Sequence, residues 1–246
     1  KRVTRSLKNR SKENTQITVR HNWPPDWSEV RSGIRIHCQP WEFGSLPAEW
    51  LEEVDKVDQV WAYTEYVRRV YVESGVDPAK VKVVPLGINP DRFNPDAVPI
   101  SLATKKTFKF LFVGGTIHRK GIDLLLQAYL EVFDSKDDVC LVIKDFGGTS
   151  FYKGQTMADE IEVARMGHNA PEILYLDCEM ADEDMAGLYT ACDCIVHPYR
   201  GEGFGLPVLE GMACGLPAIV TGGGATDDFA VEPYVWRLPA TKQRVG

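Results

Sequence analysis

Arg200-Gly201-Glu202-Gly203-Phe204-Gly205-Leu206-Pro207-Val208-Leu209-Glu210-Gly211-Met212-Ala213-Cys214-Gly215 reads as a loop that becomes a helix. Gly201, Gly203 and Gly205 allow backbone angles closed to residues with a Cβ, and a close approach to a ligand. Leu206 is expected at the cap and Pro207 at the first helical position, where its missing N–H costs nothing. Gly215 and Pro217 stop the helix. Glu202 in the loop and Glu210 in the first turn or so flank a run of backbone N–H groups at the positive helix end. Hydroxyls can donate to the carboxylates while anionic oxygens accept from the N–H groups, so the stretch suits a ligand carrying both. The plainer reading is a glycine-rich turn before a buried helix.

Outward from this stretch the chain alternates strands and helices, which indicates parallel sheets. Upstream lie strands at 108–113, 139–143, 173–176 and 194–198. Between them, helices are expected from about 122, over 157–166 and over 182–192. Phe108 to Val113 is nearly continuously apolar, as in a sheet covered on both faces. Downstream come a strand at 217–220 and a short sixth at 234–238. An earlier set holds strands at 17–21, 34–38, 59–63 and 81–85, with helices over 47–54 and from the Thr64 cap to Ser74. Residues 87–107, with Pro90, Pro95 and Pro99 and little periodicity, read as a linker. The expected division is a basic tail at 1–16, a partial first domain at 17–86, the linker, and a second domain at 108–246.

With 246 residues, 44% of them apolar and 26% charged, the chain can bury an ordinary globular core. A formal charge of −7 argues against a general nucleic-acid binder. The tail, with Lys1, Arg2, Arg5, Lys8, Arg10 and Lys12, reads as loosely attached. An electrostatic hold on an anionic membrane face stays open for it, though no apolar face backs that. No apolar run reaches the ~18 residues of a membrane span, and no secretory signal is visible. Six scattered cysteines read as free thiols of a cytoplasmic protein, with Cys192 and Cys194 expected on one side of a strand.

In open parallel sheets ligands bind beyond the carboxyl ends of the strands. One such loop is Gly114-Gly115-Thr116-Ile117-His118-Arg119-Lys120-Gly121. Its N–H groups and its Arg119–Lys120 pair suit a diphosphate, and they equally suit a tight turn with solvated basic residues. The three glycines do not give G-x-G-x-x-G, and no Walker A loop appears, which disfavours a nicotinamide dehydrogenase. No D-x-D motif suited to a metal–diphosphate site is present.

Residues 108–221 resemble the nucleotide-sugar domain of family 4 retaining glycosyltransferases. The matching pieces are Phe112-Val113-Gly114-Gly115 with Arg119-Lys120-Gly121, then Leu188-Tyr189 with Cys192-Asp193 and Val196-His197-Pro198, then the opening stretch. Residues 57–95 look like that family's passage from its first domain into its second. The resemblance implies an α/β protein with Rossmann-like parallel sheets of the GT-B type, its first domain truncated and its second lacking a final helix. It implies retaining transfer of a hexose from a GDP- or UDP-hexose to a glycan or lipid-linked acceptor, with no metal and no further cofactor.

Roles follow residue by residue from the resemblance. Lys120, with Arg119 beside it, would hold the diphosphate at the Gly114–Gly115 loop. Glu210 would hold the ribose hydroxyls. Glu202, with the N–H groups of Gly203, Phe204, Gly205 and Leu206, would hold the sugar near its reacting carbon. Backbone near Met180 would touch the base. Many relatives carry an arginine where this chain has Gly115, which Arg119 would replace. On the acceptor side, His37, Trp41 and Glu42 lie at a comparable strand end, where a buried strand histidine and a packing tryptophan loop are the plainer reading. This piece alone is expected to bind nucleotide weakly and to transfer little or nothing. A GT-B epimerase or phosphorylase, and a non-catalytic nucleotide-binding scaffold, are the competing functions.

Overall fold

The structure is a computed structural model that describes residues 17–29, 32–148 and 152–243. The basic tail at 1–16 lies outside the described residues. Among the described residues no helix is long and apolar enough to cross a membrane. The chain divides into two compact units between Pro85 and Leu86.

In the first unit, strands β1 (Ile17–Arg20), β2 (Ile34–Cys38), β3 (Gln59–Ala62) and β4 (Val81–Val83) lie side by side in sequence order. All three pairings are parallel. Helix α1 (Ala48–Val54) and helix α2 (Glu65–Glu73) supply the connections, with Trp50, Val54, Val67, Val70 and Tyr71 buried. Thr64 caps α2 as its sequence position demands, its hydroxyl accepting from the Val67 N–H at 3.2 Å. Replacing Thr64 with alanine should lower stability to urea by about 1 kcal/mol. Serine at the same place should retain most of it.

The second unit holds a six-stranded sheet. Its elements are β5 (Phe108–Val113), α3 (Ile122–Val132), β6 (Val139–Asp145), α4 (Ala158–Arg165), β7 (Glu172–Asp177), α5 (Asp182–Thr190), β8 (Cys194–His197), α6 (Leu206–Ala213), β9 (Ala218–Thr221) and β10 (Val235–Leu238). The spatial order is β10-β9-β8-β5-β6-β7, with every pairing parallel. Alternate residues of a strand face opposite sides, so the core forms two layers. Leu111, Val113, Val142 and Ile195 join one layer with Leu188 and Val208. Phe112, Leu141, Ile143 and Val196 join the other with Ile122, Leu126 and Ile161.

Several sequence expectations shift. Residues 87–107 carry no helix or strand, as their prolines dictate, yet they do not hang free as a linker. They form an arm on the second unit. Phe93 enters the first core layer, and Ile88, Ile100 and Leu102 pack against it. The Ile100 N–H donates to the Gly187 carbonyl at 3.1 Å, and a Cβ at Gly187 would stand 2.6 Å from the Val98 carbonyl oxygen. Cys192 and Cys194 do not share a side, because β8 begins only at Cys194. They enter opposite core layers. The thiols of Cys140, Cys192, Cys194 and Cys214 are buried and all six cysteines are unpaired. Burial pushes the Cys194 and Cys140 thiols up to about 11.

Candidate active site

The chain builds β5, β6 and β7 outward in one direction, then returns to place β8 on the other side of β5. Strand order thus reverses between β5 and β8, and a crevice beyond their carboxyl ends is where such sheets bind ligands. Both loops singled out from sequence leave the sheet there.

The loop after β5 closes in a 3-10 turn over His118–Lys120, and Gly121 caps α3 with φ +73°. That turn places Lys120 inward, 8% exposed. The loop after β8 carries Glu202, also 8% exposed. The Lys120 ammonium donates to Glu202 Oε2. His197, the last residue of β8, approaches the same oxygen with Nε2 at 3.4 Å. The Gly203 N–H donates to Glu202 Oε1 at 3.2 Å.

Burial is the largest influence on Glu202 and would raise its pKa. The His197 hydrogen bond and the Lys120 charge together overcome it, and hold the carboxyl well below its ordinary range. For His197, which is fully buried, desolvation dominates and lowers the pKa against the pull of Glu202.

The two loops are tied by more than this pair. The Arg119 guanidinium donates to the Gly201 carbonyl at 2.8 Å. Arg200 grips the Asp123 carboxylate with both terminal nitrogens, at 2.6 and 2.7 Å, and donates to the His118 carbonyl at 2.8 Å. Arg119 therefore braces one loop against the other. Next to Gly115 stands Tyr152: a Cβ at 115 would lie 2.5 Å from its ring. That ring gives a physical reason for glycine at this position.

Helix α6 starts one residue earlier than the sequence suggested. Gly205 is its N-cap (φ +95°), Leu206 the first helical residue and Pro207 the second. Of the three loop glycines only Gly205 has positive φ. A side chain there would meet Thr226 Cγ2 at 2.8 Å. Phe204 is buried against Phe229. Glu210, on the second turn, accepts from the Tyr189 hydroxyl of α5 at 2.8 Å. Burial raises the Glu210 pKa, and the tyrosine bond offsets part of that. Met180 packs against the first core layer.

Sequence reasoning missed a second polar knot. Asp145, 1% exposed at the end of β6, accepts from the Thr116 N–H at 3.0 Å, the Thr116 hydroxyl at 2.7 Å, the Tyr175 hydroxyl at 2.6 Å and the Phe146 N–H at 2.7 Å. It fixes the Gly115–Thr116 turn from below. Its only sequence signal was a carboxylate at the polar end of an apolar strand.

The acceptor-side candidates belong to the first unit. His37 is buried and stacked on Trp27, ring centroids 4.5 Å apart. Burial, with the Arg20 charge behind it, pulls its pKa down to about 4. Trp41 is 8% exposed, tilted against Trp50, and donates to the Ser45 carbonyl at 2.9 Å. It packs in the core there. Glu42 is half-buried beside it.

Comparison with known proteins agrees with this layout. The D-inositol 3-phosphate glycosyltransferase of Corynebacterium jeikeium (strain K411) is 31% identical over 157 residues, 57% of this chain and 35% of that protein. The chain spans well under half the length of the curated relatives it matches. Among solved structures, the trehalose-6-phosphate synthase OtsA aligns over 95% of this chain and 63% of its own, at TM-score 0.70 and 15% identity. Anabaena HepE in complex with UDP and glucose aligns over 80% of this chain and 55% of its own, at TM-score 0.55 and 16% identity. Identities this low speak for the fold alone, and that fold is the GT-B type. A family model described as glycosyl transferases group 1 matches residues 95–233, more than half of the chain, and the protein therefore belongs to the group 1 glycosyl transferases.

Proposed function

We propose that the protein is a retaining transferase of the family 4 type, moving a hexose from a nucleoside-diphosphate donor to a glycan or lipid-linked acceptor in the cytoplasm. The observation that carries this reading is the buried Lys120–Glu202 pair, assembled from loops 82 residues apart where strand order reverses. Breaking a sugar–phosphate bond leaves positive charge on the sugar and negative charge on the diphosphate. A prepositioned ammonium meets that anion without reorganisation. A carboxylate held ionised beside it can accept from sugar hydroxyls and face the developing cation. The first turn of α6 adds its N-terminal dipole to the anion side. Lys120 takes the place of a divalent ion in this scheme, so EDTA should leave the rate unchanged. His37 and Glu42 remain the acceptor-side candidates.

HepE was solved with UDP and glucose, so UDP and UDP-glucose are the first probes, followed by the GDP and ADP series. Calorimetric titration should give binding to one nucleoside diphosphate over the others. Release of that diphosphate from its sugar conjugate should follow, and NMR of the product should show the donor's anomeric configuration kept. Absence of binding to all three would end the proposal. Replacing Glu210 with alanine should weaken nucleotide binding about tenfold to a hundredfold, the value of a hydrogen bond to a charged acceptor. A 2′,3′-dideoxy nucleotide should show no such difference between the two proteins. Unchanged affinity for the ordinary nucleotide would remove Glu210 from the ribose.

A further inference from the structure

Among the described residues, His197 is a fully buried ionisable group touching the Lys120–Glu202 pair to which neither the resemblance nor the reaction gives a role. Its ring stacks on Phe112 at 5.6 Å and lies 5.8 Å from that of Tyr199. A Cβ at Gly114 would sit 3.8 Å from its Cε1. Nε2 faces Glu202 at 3.4 Å, while Nδ1 has no hydrogen-bond partner among the described residues. The charged and titratable groups around it are Lys120 and Arg119 from the 3-10 turn, and Glu202 and Tyr199 from the loop after β8.

These contacts decide where the ring proton sits. An imidazolium would bury an N–H at Nδ1 with nothing to accept it. A neutral ring protonated at Nδ1 would do the same, and would turn the Nε2 lone pair toward a carboxylate. Only the neutral ring protonated at Nε2 gives Glu202 a donor and leaves at Nδ1 a bare lone pair, the cheaper group to strand.

We infer that His197 is a positioning residue: as the neutral Nε2–H tautomer it locks the Glu202 carboxylate in one orientation for the sugar. Lys120 alone could hold Oε2 while the carboxylate turned about it. A second donor on that oxygen, with the Gly203 N–H on Oε1, fixes the plane. A neutral partner also leaves the Lys120–Glu202 pair balanced, where a cation would make the buried cluster net positive. The inference about the sugar rests on the donor-site reading above. The tautomer and the hold on Glu202 do not.

Long-range ¹⁵N–¹H correlation spectra of the wild-type chain at pH 7 should show His197 protonated at Nε2 alone. A proton at Nδ1, alone or with Nε2, overturns the inference, whatever the fate of the donor-site reading. Two variants test the hold. In His197→Gln the amide can still donate where Nε2 did; His197→Leu fills the space without a donor. The Glu202 carboxyl, followed by ¹³C shift, should titrate higher in His197→Leu than in wild type, with His197→Gln between them. Equal titration in all three overturns the hold.

Where the wild type turns over a nucleotide-sugar, His197→Leu should lose about tenfold to a hundredfold in kcat, the size seen when orienting partners are removed from metal sites. Its Kd for the nucleoside diphosphate should stay within about twofold, and His197→Gln should recover most of the rate. Full rate in His197→Leu overturns the role. A wild type that binds none of the nucleoside diphosphates overturns the donor-site reading, while the spectra still decide the tautomer and the hold.

Discussion

Replacing Lys120 with methionine is expected to cost on the order of 10²–10³ in turnover and about 3–5 kcal/mol in stability. Both losses have one cause. Lys120 and Glu202 are nearly out of water, and removing the ammonium leaves a buried carboxylate with only a long bond to His197 and one backbone N–H. Lys120→Met combined with Glu202→Gln should therefore be more stable than Lys120→Met alone, since no charge is then stranded. Urea unfolding of the wild type and the two variants at pH 7 checks this. If the single and double variants unfold together, the pair is not shielded as described.

The pH profile of stability carries the same information. Glu202 has a folded pKa depressed from an ordinary 4.5. Its contribution is fully present above that value and is lost as the pH falls through it toward the folded value. His197 is depressed from 6.5, so its contribution begins to be lost at higher pH. Acid should thus weaken the second unit in two stages, from about 6.5 and again from about 4.5 downward. Lys120→Met should shrink the second stage and spare most of the first. His37 of the first unit is depressed from the same 6.5 to about 4, so the His197→Leu variant is needed to assign the early stage.

Gly121→Ala is expected to be the most damaging of the glycine substitutions. With φ at +73°, an alanine pays about 1 kcal/mol for the left-handed backbone. Its Cβ would also run into the Pro198 carbonyl, which is backbone and cannot swing aside. Overpacking of this kind adds about 1–3 kcal/mol. The displaced Pro198 also starts the segment that carries Glu202, so nucleotide-sugar turnover should fall with stability. Gly223 is a built-in control: its φ is +76° and nothing lies within 4 Å of its ideal Cβ. Gly223→Ala should show the backbone cost alone. Equal losses at the two positions would mean that the contact with Pro198 is absent.

The parallel sheets were legible because a strand buried on both faces writes itself as an apolar run. Phe108–Val113 is placed to the residue. Thr64 and Gly205 show the limits of cap reading: a threonine before a helical pattern names its own cap, whereas Gly-Leu-Pro allows two starts a residue apart. Lys120 and Glu202 could be named from their motifs, but their meeting could not, since it depends on β8 returning to lie beside β5. The brace from Arg119 to the Gly201 carbonyl was missed for the same reason. A backbone acceptor has no side chain for a pattern to reveal. The Asp145 knot and the contact of His197 with Glu202 were missed because polar residues at strand ends look alike until strand order decides what faces them. The arm at 87–107 was missed because four apolar side chains without a period give no signal of where they dock.

That arm governs how the two units can be recombined with those of relatives. A chimaera spliced after residue 107 would import a stranger's residues over α5, exposing the layer that Phe93, Ile100 and Leu102 cover and removing the Ile100 N–H from the Gly187 carbonyl. Cutting between Pro85 and Leu86 keeps Ile88, Phe93, Ile100 and Leu102 with the sheet they cover.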